Sequence, residues 1–115
     1  MINLEITHEA ESLLKLLYVL YRSRREEGKG RLEASYIGSS DEIKQNYLNQ
    51  MSFDDVSELC FELAEQGCIT YSVGDDIASE ICLTRKALVY CEQVFQRDTK
   101  NLIEWISSIK GILPF

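Results

Sequence analysis

Apolar residues recur at helical spacing in several segments of the chain, and polar residues mark where each predicted helix begins and ends. Thr7 is a good N-cap, and the cations near the end suit a helix C-terminus before Gly28 and Gly30 break it. The first helix buries an apolar face of Leu13, Leu14, Leu16, Leu17, Leu20 and Tyr21. The residues that follow, 31–37, predict a short strand or an extended segment.

Two shorter helices are predicted next, each opened by a serine. Ser39 with Glu42 three residues later forms a capping-box pattern, which predicts a second helix from about Asp41 to Leu48. Ser52 with Asp55 starts the third helix, where Met51 and Val56 are spaced for a hydrophobic staple, and Gly67 ends it. Its core face consists of Val56, Leu59, Cys60 and Leu63.

A β-hairpin and further helices complete the chain. Residues 68–73 and 77–83 alternate apolar and polar positions, and Gly74, Asp75 and Asp76 supply the turn between them. Thr84 caps a fourth helix whose apolar stripe is Leu88, Cys91, Val94 and Phe95. Residues 98–115 predict a C-terminal helical extension, and the pattern over 84–110 fits either one bent helix or two helices.

This order of elements resembles a winged helix-turn-helix domain. The segment SELCFELAEQGCITYSVGDDIASEICLTRKALVYCEQ is similar to the second half of that fold, from the third helix through the wing. LTRKALVYCEQ followed by NLIEWISSIK resembles the small bacterial YjcQ-like proteins. The resemblance implies an α+β fold over residues 1–115, with a three-helix core, a β-hairpin wing and an additional C-terminal helix or helices. It also implies a broad role in transcription regulation.

Composition narrows the classes of function. The 115 residues are 45% hydrophobic and 27% charged, which is ordinary for one globular domain. We expect no membrane span, because no apolar run approaches roughly 18 residues, and no secretory signal, because the N-terminus lacks a basic start before an apolar block. The four cysteines lie within apolar patterns and no secretory signal is expected, which predicts reduced, buried thiols in a cytoplasmic protein. Their spacing contains no CxxC pair, which predicts no metal site. One histidine and no phosphate-binding glycine motif predict a non-enzymatic protein without a cofactor.

Charge then argues against the function that the resemblance implies. The net charge is −7, and the third helix, which in a helix-turn-helix protein enters the major groove, has no Lys or Arg between Ser52 and Gln66. Its polar face carries only acids, Asp54, Asp55, Glu58, Glu62 and Glu65. Such a face repels phosphate, so it is either a solvated face or a surface for a protein partner.

Three hypotheses of function remain at this point. The first is a regulator-like module that binds protein, itself included, with the acidic third helix and the wing as one surface. The second is a DNA-binding regulator that contacts phosphate through basic residues elsewhere, either Arg22, Arg24, Arg25, Lys29 and Arg31 or Arg85 and Lys86. For the first group, helix-end stabilisation and solubility are the ordinary explanation. The third is a phage or mobile-element accessory protein whose acidic face imitates nucleic acid.

The C-terminal extension also has two interpretations. Its apolar stripe either packs onto the first helix or forms a homodimer interface with aromatic anchors. The residues predicted for that interface are Leu102, Trp105, Ile106, Ile109 and Phe115.

Overall fold

A computed structural model describes residues 3–74 and 77–95 of the chain. Within these ranges the fold is α+β, with five helices and one three-stranded antiparallel sheet. The helices are α1 (His8–Glu26), α2 (Arg31–Ser35), α3 (Ser40–Tyr47), α4 (Phe53–Glu65) and α5 (Arg85–Phe95). The strands are β1 (Tyr36–Gly38), β2 (Ile69–Gly74) and β3 (Ile77–Leu83). The predicted turn residues Asp75 and Asp76 and the extension 98–115 lie outside the described residues.

The long helix α1 supplies much of the core, as its pattern predicts. The Thr7 hydroxyl accepts a hydrogen bond from the Ala10 N–H at 3.2 Å, so the predicted N-cap is confirmed. Leu14, Leu17 and Tyr18 are almost completely buried, and Leu20 is partly buried at the margin of the core. At the other end Gly28 adopts a φ of +94°, a conformation that favours glycine and closes the helix.

The segment 31–37 corrects the prediction of a strand or extended stretch. Residues Arg31–Ser35 form α2, because Gly30 opens a helical turn and the Ser35 hydroxyl donates to the Arg31 carbonyl at 2.7 Å. Only Tyr36–Gly38 is a strand, and it pairs with β3. The sequence contains good helix formers in Leu32 and Ala34, but a single turn is too short to give a recognisable period.

The helices α3 and α4 begin at the predicted serines. The Ser39 hydroxyl accepts from the Glu42 N–H and the Ser52 hydroxyl accepts from the Asp55 N–H, each at 3.1 Å. The core face of α4 is also confirmed, since Val56, Cys60 and Leu63 are fully buried and Leu59 is partly buried. Gly67 ends α4 with a φ of +75°, as expected.

The sheet has the order β1-β3-β2, so β3 is central and the hairpin pairs as predicted. Its register includes Ile69 opposite Leu83 and Val73 opposite Ala78. Between these pairs β3 has one residue more than β2, and Glu80 takes a φ of +52° at that bulge.

Thr84 joins the hairpin to both neighbouring helices. Its hydroxyl donates to the Gly67 carbonyl at 2.5 Å and accepts from the Ala87 N–H at 3.2 Å, so the predicted cap of α5 is confirmed. The stripe predicted on α5 is partly wrong. Leu88, Cys91 and Phe95 are buried, whereas Val94 is 39% exposed because its position on the helix turns it away from the core.

Candidate interaction surface on helix α4 and the hairpin

The packing of α4 fixes which of its side chains face outward. The helix lies on α3, where the buried hydroxyls of Ser57 and Ser40 are hydrogen-bonded at 3.2 Å. Together with the buried apolar face, this contact sets the rotation of α4 about its axis. Four carboxylates consequently lie on the exposed side of α4, those of Asp54, Asp55, Glu58 and Glu65. We call these four residues the acidic face.

The fifth predicted acid, Glu62, has a different position. One of its carboxylate oxygens accepts the Thr7 N–H at 2.5 Å and the other accepts the Thr7 hydroxyl at 3.1 Å. One turn later, the Gln66 amide oxygen accepts the Glu5 N–H at 3.2 Å. The segment 3–7 therefore lies along this side of α4, and Glu62 contributes to the start of α1 rather than to the open acidic face.

An aromatic contact forms the opposite margin of the acidic face. The ring of Phe61 in α4 packs on the ring of Tyr71 in β2, with 5.3 Å between the centroids. Two residues further along β2, Val73 is 67% exposed. Glu58 and Glu65 stand one helical turn before and after Phe61. We call Phe61, Tyr71 and Val73 the apolar seam, because Phe61 and Tyr71 join α4 to β2 beside the carboxylates and Val73 is the next apolar side chain along β2.

The analysis of the sequence alone missed this seam. The available signal was Phe61, an apolar residue directly beside the arc of the helical wheel that holds the acids. Its meaning depends on β2, whose Tyr71 reaches α4 only in the folded chain.

The basic residues at the end of α1 are largely used within the fold. The Arg22 guanidinium donates to the Tyr18 hydroxyl at 3.2 Å, and this bond raises the pKa of Arg22. Arg24 donates to the Tyr36 carbonyl of β1, and Arg25 donates to the Lys29 carbonyl at 3.1 Å. These contacts fix the turn after α1 and the start of β1.

The remaining cations of the predicted nucleic-acid contact are more open. The Lys29 ammonium lies 3.6 Å from the Glu33 carboxylate, in an exposed ion pair that contributes little to stability. Arg31 at the start of α2, and Arg85 and Lys86 at the start of α5, are exposed. Lys86 also lies near the end of α4, since its side chain is within 4 Å of the position that a Cβ at Gly67 would take.

The thiols show what chemistry the interior permits. All four cysteines are free. Burial raises the pKa of Cys60 to about 12 and also raises the pKa of Cys68, Cys82 and Cys91, so each stays protonated at neutral pH. A protonated, buried thiol is a poor nucleophile and a poor metal ligand.

The described ranges contain neither a metal-binding cluster nor a membrane-spanning helix. Among residues 3–74 and 77–95, no cluster of three or more His, Cys, Asp or Glu side chains has the arrangement of a metal site. No helix in the same ranges combines the length and apolar character that crossing a bilayer requires. The residues predicted to form a dimer interface, from Leu102 to Phe115, lie outside the described part of the chain.

The described residues thus form three candidate interaction surfaces: the acidic face, the apolar seam and the basic end of α1. When the chain was compared with protein-family models, with curated proteins and with solved structures, none of the three comparisons gave a significant match.

Proposed function

We propose that this chain is a winged-helix domain that acts as a non-enzymatic, regulator-like interaction module and binds a protein partner through the acidic face of α4. The order of helices followed by the β2–β3 hairpin and α5 is compatible with that fold. In this interpretation α4 is the helix that a DNA-binding relative would place in the major groove, and the hairpin is the wing.

The observation that carries the proposal is the sign of the charge on α4. Asp54, Asp55, Glu58 and Glu65 are exposed, and the helix has no cation to offset them. Phosphate is repelled by such a face, and the repulsion grows as salt is lowered. A partner with a basic surface is attracted by it, and the same field speeds the encounter.

The use of the basic residues supports a protein partner over nucleic acid. Arg22, Arg24 and Arg25 are hydrogen-bonded to groups of the fold itself, so their position is explained without a ligand. The free thiols fit a reducing compartment, and the proposal therefore places the module in the cytoplasm.

The test uses the full chain with two probes, a random-sequence DNA duplex and a lysine oligomer, each at low and at physiological salt. We expect no binding to the duplex at low salt, and binding to the lysine oligomer that weakens as salt rises. The variant Asp54→Lys/Glu58→Lys should no longer bind the lysine oligomer. The matched control is Glu26→Lys/Glu27→Lys, which makes the same change of charge at two exposed residues at the end of α1. This variant should still bind the lysine oligomer.

Binding of the duplex that falls steeply with salt would contradict the proposal and favour a DNA-binding regulator. Reversal of charge at Arg31 and Arg85 would then identify the contact, since both side chains are exposed. Equal loss of the lysine oligomer in both charge-reversal variants would show that only net charge matters, which also contradicts a specific acidic face.

A further inference from the structure

β2 is an edge strand of the sheet. The sheet order β1-β3-β2 leaves one side of β2 without a neighbouring strand among the described residues. Four consecutive residues of this strand, 70–73, are exposed. They are Thr, Tyr, Ser and Val, of which Thr, Tyr and Val favour a strand.

Proteins usually protect such an edge against pairing with another chain. Common devices are a lysine or proline in the edge strand, a very short strand, or a bulge that turns the edge away. β2 has no charged residue and no proline, and the bulge of the hairpin is in β3 instead. In the described part of the chain, none of these devices protects the edge of β2.

The direction of the backbone groups can be assigned from one contact. The Ser72 carbonyl accepts a hydrogen bond from the Ser79 hydroxyl of β3 at 3.0 Å, so the Ser72 backbone faces β3. Backbone groups alternate sides along a strand, and those of Tyr71 and Val73 accordingly face the open edge. These two residues also supply the exposed side chains of the apolar seam.

The charge around the edge selects the occupant. Glu58 and Glu65 flank Phe61, on which Tyr71 packs, and the Glu80 carboxylate accepts the Ser72 hydroxyl at 3.1 Å. A second copy of this chain would bring the same negative charges to the interface, whereas a basic segment would neutralise them.

We infer that the β2 edge is a docking site for an extended partner segment that alternates basic and apolar residues and adds to the sheet as a fourth strand. Its backbone pairs with Tyr71 and Val73, its apolar side chains cover the seam, and its cations meet the acidic face. This inference rests on the proposed function, because the acidic face determines the sign of the partner.

The experiment uses the full chain and a short peptide of alternating lysine and valine. The control peptide has the same side chains but carries N-methyl groups on the residues whose backbone would pair, which removes strand pairing and keeps the charge. We expect the control to bind roughly tenfold more weakly, because about two backbone hydrogen bonds are lost. Amide hydrogen exchange should slow at Tyr71 and Val73 when the unmodified peptide is added, and not with the control.

A variant of the chain gives an independent reading. Val73→Pro removes one edge N–H without removing a bond to β3, and proline is tolerated on edge strands. This substitution should weaken the binding of the unmodified peptide and leave the binding of the control peptide unchanged. If Val73→Pro does not fold, the amide-exchange measurement on the unaltered chain still shows whether the peptide pairs with the β2 edge.

The outcomes separate this inference from the proposed function. Equal binding of both peptides, lost in Asp54→Lys/Glu58→Lys, would overturn strand addition and retain the acidic face. Slow exchange at Tyr71 and Val73 before any peptide is added would show that the edge is already covered, by another part of the chain or by a second copy, and would also overturn it. Failure of both peptides to bind would contradict both proposals.

Discussion

The two edges of the sheet are finished in different ways. β1 is three residues long, Arg24 donates to its Tyr36 carbonyl, and the Glu42 side chain lies against Gly38. β2 is six residues long, and residues 70–73 are exposed and uncharged. Contacts from within the fold therefore determine the residues at the first edge. At the second edge no strand of the described residues pairs with the outer side of β2, and a change of sequence there is expected to have a different cost.

The largest expected effect is at Gly38, on the closed edge. Its φ is +123°, and a Cβ there would stand 2.7 Å from a Glu42 carboxylate oxygen. We expect Gly38→Ala to lower the free energy of unfolding by about 1–3 kcal/mol, because a side chain strains this backbone conformation. Urea denaturation followed by circular dichroism measures the change.

Gly30→Ala is the matched control for Gly38→Ala. Gly30 has an ordinary φ of −68° and open space where a Cβ would be, so the substitution should have little effect. Equal stability of the two variants would show that β1 is not held in the conformation described, and the contrast between the edges would disappear.

A smaller effect is expected for Arg24→Met. The methionine keeps much of the aliphatic stem but loses the charged donor to the Tyr36 carbonyl. We expect a loss of about 1 kcal/mol in the free energy of unfolding, typical of one hydrogen bond to a charged group after allowance for solvent exposure. Faster amide exchange in residues 36–38 would locate the loss at β1. The control Arg31→Met removes an exposed cation nearby, and an equal loss there would assign the effect to charge alone.

The smallest effect is expected at the open edge. Val73→Lys replaces a side chain that is 67% exposed, and we expect a change within about 0.5 kcal/mol in the free energy of unfolding. The same substitution should weaken the binding of the lysine–valine peptide, because it adds a cation to the binding site. A loss of stability as large as that of Gly38→Ala would mean that the β2 edge is covered in the folded chain, and would reverse the comparison.

The sequence predicts best what is determined within a few residues. Thr7, Ser52 and Thr84 cap the helices that their positions predict, because a cap is a bond between a side chain and a nearby N–H. The hairpin was also predictable, since its two strands are adjacent in the chain and alternate in polarity.

The features that escaped prediction depend on contacts between distant residues. β1 exists because it pairs with β3, more than forty positions later in the chain. Glu62 leaves the acidic face because Thr7 reaches it from the start of the chain. The apolar seam needs Tyr71 to meet Phe61 across two elements. The charge of the candidate surface was therefore predictable from the sequence, and its margins were not.

Thr84 has a consequence for how this domain can change over time. Its N–H donates to the Cys68 carbonyl at 3.0 Å and its hydroxyl donates to the Gly67 carbonyl, so the chain leaves α4 and returns to α5 at one point. The base of the hairpin is therefore fixed to both helices, and the paired Ile69 and Leu83 beside it are buried in the core. Residues 70–73 of β2, by contrast, are exposed and can change while the two helices stay connected at Thr84. New binding specificities can consequently evolve, or be engineered, at these exposed positions without rebuilding the core.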